Sequence, residues 1–284
     1  MTTSLKNTIV GLVLSAVTVA IVGVGAAAAQ AEGPVWLHGA NVLLAAGEER
    51  TLNSESETTF KLTIAGGPAI ECPTSLDTGK FIGGEPGFDL DEVSFEGCHV
   101  QGKTLAECGA ASAGMNAGIV LVELWTMLAY RAGHFNTNEE ALDAVFPDPS
   151  DEEFVAFTLT GTKCAAELNN VTVTVLATGA PLLETAHFSA KCGLLGQLGL
   201  LNAAGTFVVS KSGELEQNPA LNFPEPAIAE AEYTLAGGVA TPFTCHLEAD
   251  VSNGFKGEAT ESGIMLIEAL NSSGVKEAIG WSLK

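Results

Sequence analysis

Polar and apolar residues alternate with a period of two along many short segments of the chain. In 58–65, for example, Phe60, Leu62 and Ile64 share one face and polar residues share the other. Alternation of this kind in β-branched and aromatic residues predicts a half-buried strand. Similar segments recur along the chain, at 93–100, 154–160, 171–176, 186–192 and 244–251.

Glycine-rich turns separate these segments, which follow one another at intervals of roughly ten to fifteen residues. This spacing predicts an all-β fold, a disulfide-stabilised sandwich or barrel-like domain. The apolar run 118–131 fits either a buried helix or a pair of buried strands bent near Trp125, and its β-branched start favours strands. Short helical insertions are the exception we expect around 118–145, including one helical turn at 138–142.

Three polar or glycine-rich segments are interpreted as loops. Residues 77–87 contain four glycines and Pro86 and predict a loop, and 136–153 is acidic. Residues 214–226 contain three prolines and are the best linker in the chain. A division of the domain at 214–226 is therefore an alternative to a single β-rich unit spanning 32–284.

The first 31 residues have the pattern of a secretory signal peptide. Lys6 precedes an apolar run from Ile9 to Val24, and a cluster of small residues ends at Ala29-Gln30-Ala31. An uncleaved membrane anchor is the alternative, because the apolar run approaches membrane-spanning length. No later segment does so without a charge or a cluster of glycines. We therefore expect a secreted or cell-envelope protein without a membrane span after cleavage.

The chain carries a formal net charge of −22. Such a surface repels nucleic acid and anionic lipid headgroups, so neither is an expected partner. Only 16% of the residues are charged, and Arg50 and Arg131 are the only arginines. The imbalance therefore comes from scarce cations, and an apolar fraction of 46% agrees with a packed domain.

Six cysteines in an exported chain indicate disulfides before they indicate metal ligands or nucleophiles. They are widely spaced, without a C-x-x-C motif. Cys98 and Cys108 are close enough in sequence for their loop to bring two strands together, which predicts Cys98–Cys108. The remaining cysteines are assigned as Cys72–Cys164 and Cys192–Cys245.

Candidate chemistry is sparse, and we predict no catalytic residue and no cofactor. The match of Ser273 and Lys276 to S-x-x-K lacks its companion motifs. The five histidines are scattered, and the dipeptides Cys98-His99 and Cys245-His246 are interpreted as strand residues with polar-face histidines. Acidic residues cluster in two segments. The first contains Asp89, Asp91 and Glu92, and the second contains Asp148, Asp151, Glu152 and Glu153.

Oxygen-rich loops on β-scaffolds bind calcium, so Asp89, Asp91 and Glu92 are the calcium candidates. Their spacing does not fit D-x-[DN]-x-[DN]-G, and solvated loop charge is the favoured interpretation for both acidic segments.

Several short patterns within 60–180 occur in a fixed order. They are Ile70-Glu-Cys72, Val93-Ser-Phe-Glu-Gly-Cys98, Cys108, the apolar run 118–131, and the segment from Phe154 to Cys164. This series resembles that of a group of uncharacterised secreted proteins of soil actinobacteria of the Solirubrobacter type. The resemblance implies export and β-structure and supplies no catalytic residue. The acidic segment 136–153 and the pair Cys192 and Cys245 depart from the pattern.

Taken together, these features predict an exported, non-enzymatic structural or binding module of the cell surface or extracellular medium, with an unidentified ligand there as its partner. The alternative is a secreted carbohydrate-active hydrolase that uses paired carboxylates from the acidic loops. In that case Trp36, Trp125 or Trp281 would line the sugar site.

Overall fold

The computed structural model describes residues 33–39, 41–135, 137, 140–147, 153–185, 187–210, 218–224, 228–235 and 239–283. The predicted signal peptide, 1–31, lies outside these residues. The described chain is almost entirely antiparallel β-structure with one short helix, which confirms the predicted all-β fold.

In chain order, the elements are β1 Val35–His38, β2 Val42–Leu43, β3 Glu49–Ser56, β4 Phe60–Ile64, β5 Ala69–Cys72, β6 Thr74–Ile82, β7 Phe88–Glu96, β8 His99–Val100, α1 Leu105–Cys108, β9 Gly109–Ala111, β10 Ile119–Arg131, β11 Ala141–Pro147, β12 Glu153–Thr160, β13 Val171–Ala180, β14 Leu183–Glu184, β15 Ser189–Ala190, β16 Leu194–Leu201, β17 Phe207–Val209, β18 Pro219–Phe223, β19 Glu230–Leu235, β20 Val239–Val251, β21 Lys256–Leu270, β22 Lys276–Glu277 and β23 Ile279–Ser282.

Eight of these strands pair in a closed circuit, which we call ring 1. Each strand is hydrogen-bonded to the next, and the last returns to the first: β3, β6, β7, β10, β11, β16, β18 and β21. Closure leaves these strands without free edges along their paired lengths. Side chains on alternate positions of each strand therefore point into a common interior.

A second closed circuit, ring 2, shares β21 with ring 1. It runs through β21, β4, β5, β8, β9, β12, β13 and β20. Residues 256–262 of β21 pair with strands of ring 2, and residues 263–270 pair mainly with strands of ring 1. The two rings are thus fused end to end along one continuous strand.

A separate three-stranded sheet, which we call the lid, covers the end of ring 1 that faces away from ring 2. It consists of β2, β1 and β23, with Trp36 directly opposite Trp281 in the strand pairing. Both tryptophans are buried, and the Trp36 ring packs edge-on against Phe81 of ring 1 at a centroid distance of 4.9 Å. The lid therefore closes ring 1 with aromatic side chains.

The core has two parts. The larger part fills the two rings and includes both lid tryptophans. The smaller part lies on the outer face of ring 1, where Met127, Leu142 and Phe146 pack against Phe188 and Phe243. Strands β10 and β11 bury both of their faces for this reason, which explains why their sequences are apolar at consecutive positions.

The helical insertions expected around 118–145 are wrong for the described residues. The apolar run forms one continuous strand, β10, rather than a helix or two bent strands, and Ala141 and Leu142 begin β11. An apolar run that is buried on both sides does not reveal its period, so helix and strand look alike in sequence.

All three predicted loops also differ from the structure, and within the acidic segment 136–153 residues Ala141–Pro147 form β11. Most of 77–87 belongs to β6, and the connection to β7 is only 83–87. The part of the predicted linker 214–226 that the structure describes contains β18, which pairs with β16 and β21 inside ring 1. Pro219 is compatible with this role because it is the first residue of its strand.

The disulfides are Cys72–Cys98, Cys108–Cys164 and Cys192–Cys245. The last of these was predicted, whereas the predictions Cys98–Cys108 and Cys72–Cys164 are wrong. The loop 98–108 does bring β8 and β9 together, as expected. However, β8 also pairs with β5, and this second pairing places Cys98 next to Cys72. Cys108 then pairs with Cys164 in the turn region after β12.

Gly79 of β6 is required by a close approach of two backbones. A Cβ at this position would lie 1.9 Å from the carbonyl oxygen of Leu90 in β7. We expect Gly79→Ala to lower the free energy of unfolding by about 2–3 kcal/mol, because the strands must shift to relieve the overlap. Urea titration with intact disulfides measures this change. The exposed neighbour Thr78 provides the control, since Thr78→Ala should cost less than about 1 kcal/mol. Equal effects of the two substitutions would contradict the steric explanation.

Cys192–Cys245 joins the approach to β16 with β20 across 53 residues of chain. We expect replacement of both cysteines by alanine to lower the free energy of unfolding by about 3–4 kcal/mol, because the unfolded chain gains freedom. Chemical denaturation of the variant and of the parent protein checks this value. A loss below about 1 kcal/mol would show that the surrounding packing already restrains this segment.

Candidate functional site

Four aspartates project into ring 1 from three different strands, and we call them the acid cluster. Asp77 lies on β6, Asp89 and Asp91 lie on β7, and Asp143 lies on β11. Each occupies an inward position of its strand, two or four residues from a buried apolar side chain such as Phe81, Val93 or Val145. The strand alternation alone therefore places all four carboxyl groups inside the ring.

The strand register explains how these groups come together. Asp89 lies opposite both Phe81 and Thr126 in the strand pairing, and Asp91 lies opposite Gly79. Because Gly79 has no side chain, the carboxyl groups occupy the space next to Asp91. Thr126, on the strand between β7 and β11, separates Asp89 from Asp143.

All four carboxyl groups are removed from solvent. The exposed fractions are 7% for Asp77, 3% for Asp89, 6% for Asp91 and 2% for Asp143. No lysine, arginine or histidine of the described chain is buried to the same degree. A buried carboxylate without a cation is costly, so such a group holds its proton instead.

The pKa values of the four carboxyl groups are raised, and burial is the largest cause for each. Burial raises the pKa of Asp143 to about 7, and the nearby Thr126 hydroxyl counteracts this only in part. Burial raises the pKa of Asp77 to about 7, where the Ser54 hydroxyl lowers it and repulsion from Asp143 adds to it.

Asp89 and Asp91 are affected most strongly. Burial holds the pKa of Asp89 well above its usual range, and repulsion from Asp143 adds to the effect. Burial does the same for the pKa of Asp91, reinforced by repulsion from Asp77 and Asp89. Asp89 and Asp91 therefore keep their protons at neutral pH, whereas Asp77 and Asp143 titrate close to it.

Hydrogen bonding within the cluster is incomplete. One oxygen of each aspartate lacks a hydrogen-bond partner of usual geometry, as does the Thr126 hydroxyl that faces Asp89 and Asp143. Asp77, Asp91 and Thr126 border a cavity of about 40 Å³. A cavity of this size has room for about two water molecules, which could connect the unpaired groups.

A fifth acid, Glu261, lies where the two rings meet. It shares the inward face of β21 with Ala259 and Met265, and burial raises its pKa to about 7. Glu261 keeps some accessible surface because it borders two cavities of about 40 Å³ each, one in each ring. Its other neighbours there include Phe60 and Phe154, so its surroundings are mainly apolar.

The calcium candidates are distributed differently from the prediction. Asp89, Asp91 and Glu92 lie in β7, not in a loop, so the predicted loop is wrong. Asp89 and Asp91 point into ring 1, whereas Glu92 is exposed on the outer face of the same strand. The three side chains therefore do not converge on one ion. Among the residues that the structure describes, no group of three or more His, Cys, Asp or Glu could hold a metal ion.

The other sequence candidates do not form a site. All six cysteines are oxidised, so the two Cys-His dipeptides offer no thiolate ligands. Lys276 forms an ion pair with Glu268. Of the second acidic segment, Asp148, Asp151 and Glu152 lie outside the described residues, and Glu153 begins β12.

The tryptophans are separated. Trp36 and Trp281 are buried in the lid, and Trp125 lies on the outer face of ring 1, stacked against His187 at 5.7 Å between centroids. The structure therefore does not bring two tryptophans of the described chain to a common open surface.

One open concave surface carries charged groups, and we call it the ring 2 groove. It has a volume of about 440 Å³ and lies on the outer face of β20 and β21. Glu248 and Glu258 lie directly opposite each other across these strands, next to His246, and Lys256 pairs with Asp250 at 2.5 Å. Two like charges in this position repel each other.

The sequence signal for the acid cluster was present but pointed to the wrong face. Phe88 and Leu90 suggest an apolar face that would send Asp89 and Asp91 outward, and a shift by one residue reverses every side chain. Asp143 offered a better signal, since it is the single acid in the apolar run 141–146.

Comparison with protein-family models, with curated proteins and with solved structures found no match. Among the described residues, none of the helices has the length and apolar character needed to cross a membrane. The fold and the site therefore define an all-β protein with three disulfides, two fused strand rings and a sealed interior cluster of carboxyl groups.

The raised pKa values predict a stability that falls as pH rises. Between about pH 4 and pH 7 the native carboxyl groups keep protons that the unfolded chain has released, so unfolding releases protons and becomes easier as pH increases. We expect Asp143→Asn to raise the free energy of unfolding by about 2–4 kcal/mol at pH 8 and by little at pH 4.

Urea titrations at the two pH values measure this difference. Glu92→Gln is the matched control, because Glu92 lies on the outer face beside the cluster. A loss of stability in Asp143→Asn at pH 8 would contradict the protonated state.

Proposed function

We propose that this chain is an exported, non-enzymatic structural or binding module of the cell surface or extracellular medium. The observation that carries the proposal is that the clustered carboxyl groups are sealed inside ring 1. A polymer or a soluble substrate has no route to groups that are only 2–7% exposed. What remains on the surface is a rigid β-scaffold with an open, charged groove.

The disulfides support the extracellular part of the proposal. All six cysteines are paired, and each bridge joins segments that are far apart in sequence. Bridges of this kind persist in oxidising compartments. The predicted leader and the resemblance to secreted actinobacterial proteins point in the same direction.

The ring 2 groove is the surface on which a ligand would bind. Strand residues rather than loops supply its charged groups, so their positions are fixed by the pairing of β20 with β21. Repulsion between Glu248 and Glu258 would be relieved by a ligand that brings positive charge or hydrogen-bond donors.

One specific observation favours a second candidate, the carbohydrate-active hydrolase. Directly opposite strand residues have Cβ atoms about 4.5–5.5 Å apart, so rotation of the two glutamate side chains can bring their carboxyl groups to the separation of about 5–5.5 Å that retaining glycoside hydrolysis requires. Glu248 and Glu258 would then replace the loop acids that the sequence suggested. Against this role, the residues lining the groove include no aromatic platform for a sugar ring.

A glycan array with calcium present and absent tests both candidates, combined with an assay for released reducing ends. We expect the protein to bind a glycan or another polar ligand on the array without turnover. The double variant Glu248→Gln with Glu258→Gln should lower the affinity for this ligand at least about tenfold. Lys61→Gln, on ring 2 but outside the groove lining, is the control. Turnover that disappears in Glu258→Gln would establish the hydrolase. Six free thiols in protein from its native compartment would overturn the extracellular assignment.

A further inference from the structure

The lid lies directly over the acid cluster. The indole N–H of Trp36 faces the Asp89 carboxyl group, although neither forms a hydrogen bond of usual geometry there. Gly87 N–H donates to the Pro34 carbonyl at 2.8 Å, just before β7 begins. Asp89 is thus the member of the cluster nearest to the lid.

Several polar contacts at the rim attach the lid to ring 1. His38 of β1 lies 3.1 Å from Glu277 through its Nδ1 atom, and Arg50 of β3 donates from Nε to the same carboxylate at 3.2 Å. Arg50 also lies 2.7 Å from Glu48. These four side chains are partly exposed, so water competes with their contacts.

One contact fixes the lid from inside. The Tyr130 hydroxyl donates to the Leu283 carbonyl at 2.6 Å, and burial raises the pKa of Tyr130 to about 12. This hydrogen bond therefore persists across the pH range in which the acid cluster titrates. It acts as a fixed point around which the rest of the lid can loosen.

Charged and titratable groups surround the lid and the cluster on several elements. They are Asp77, Asp89, Asp91, Asp143 and Glu261 inside the rings, His38, Glu48, Arg50 and Glu277 at the rim, and Glu85 and Glu232 near Tyr130. The interior groups are all acids, so each proton that they lose adds negative charge without a neighbouring cation.

The two ends of ring 1 are closed differently. The end away from the lid continues into ring 2, where Phe60 packs against Phe95 and Phe223 at centroid distances of 5.4 and 6.0 Å. The cavity beside Asp77 and Asp91 extends in that direction as far as Glu261, whereas the barrier beside Asp89 is the small sheet of the lid.

We propose that the lid is a pH-operated closure, which seals ring 1 while the interior aspartates carry protons and loosens when two or more of them ionise. A first ionised group can still accept a hydrogen bond from a protonated neighbour. A second ionised group is destabilised both by its apolar surroundings and by repulsion from the first charge. Each proton released on opening raises the open population by up to about tenfold per pH unit.

Tryptophan fluorescence reports on the lid directly. Trp36 and Trp281 both belong to it, so in a Trp125→Phe protein all emission comes from the lid. We expect acrylamide quenching of this protein to be weak at about pH 5 and at least about twofold stronger at pH 9. Far-UV circular dichroism should stay constant over the same range.

The acid cluster is tested by Asp89→Asn with Asp143→Asn in the Trp125→Phe background. We expect quenching to stay weak up to pH 9, because the uncharged amides need no entering water. Asp91→Asn alone should shift the quenching transition to higher pH. This single variant tests the acid cluster if the double variant does not fold.

Two controls separate the cluster from its surroundings. Glu92→Gln, on the outer face of β7, should leave the transition unchanged. His38→Gln should also leave the transition unchanged. If the transition disappears in this variant, the group that responds to pH lies at the rim, and the proposal is overturned. Quenching that does not change with pH, or that changes together with the circular dichroism, would overturn it as well.

Discussion

Strand β21 is the constraint on which both rings depend. Its first half pairs with β20 and β4, and its second half pairs with β18 and β3. A strand of 15 residues can serve two sheets in this way only if its neighbours change along its length. The change occurs around Gly263, where a Cβ would lie 2.7 Å from the Phe60 ring. The aromatic contact between the rings thus requires a glycine in the shared strand.

Closure of ring 1 then creates an unusual electrostatic situation. Inward positions of a closed ring are removed from bulk water, and here four of them carry carboxyl groups without a buried cation among the described residues. Desolvation alone shifts such groups toward their protonated forms. The stability of the ring is therefore linked to the proton concentration through groups that lie inside it. Apolar side chains of similar size would fill the same space without this dependence.

The acidic groups of the molecule fall into a buried set inside ring 1 and an accessible set on the outer surface. The interior acids are only 2–7% exposed, and their burial links the stability of ring 1 to pH. The exterior carries the ring 2 groove, whose acids are accessible and whose scaffold is cross-linked by disulfides. Cys192–Cys245 links β20, which lines the groove, to the flank of ring 1.

The sequence by itself determined the all-β class and the strands 60–64 and 171–176, because alternation of polar and apolar residues is a local signal. Only the tertiary structure decided the disulfide pairing and the direction in which Asp89 and Asp91 point. Strand partners far apart in the chain set both, since β7 is held between β6 and β10 and β8 between β5 and β9. The acid cluster belongs to this second group, because it exists only where ring closure brings β6, β7 and β11 around one interior.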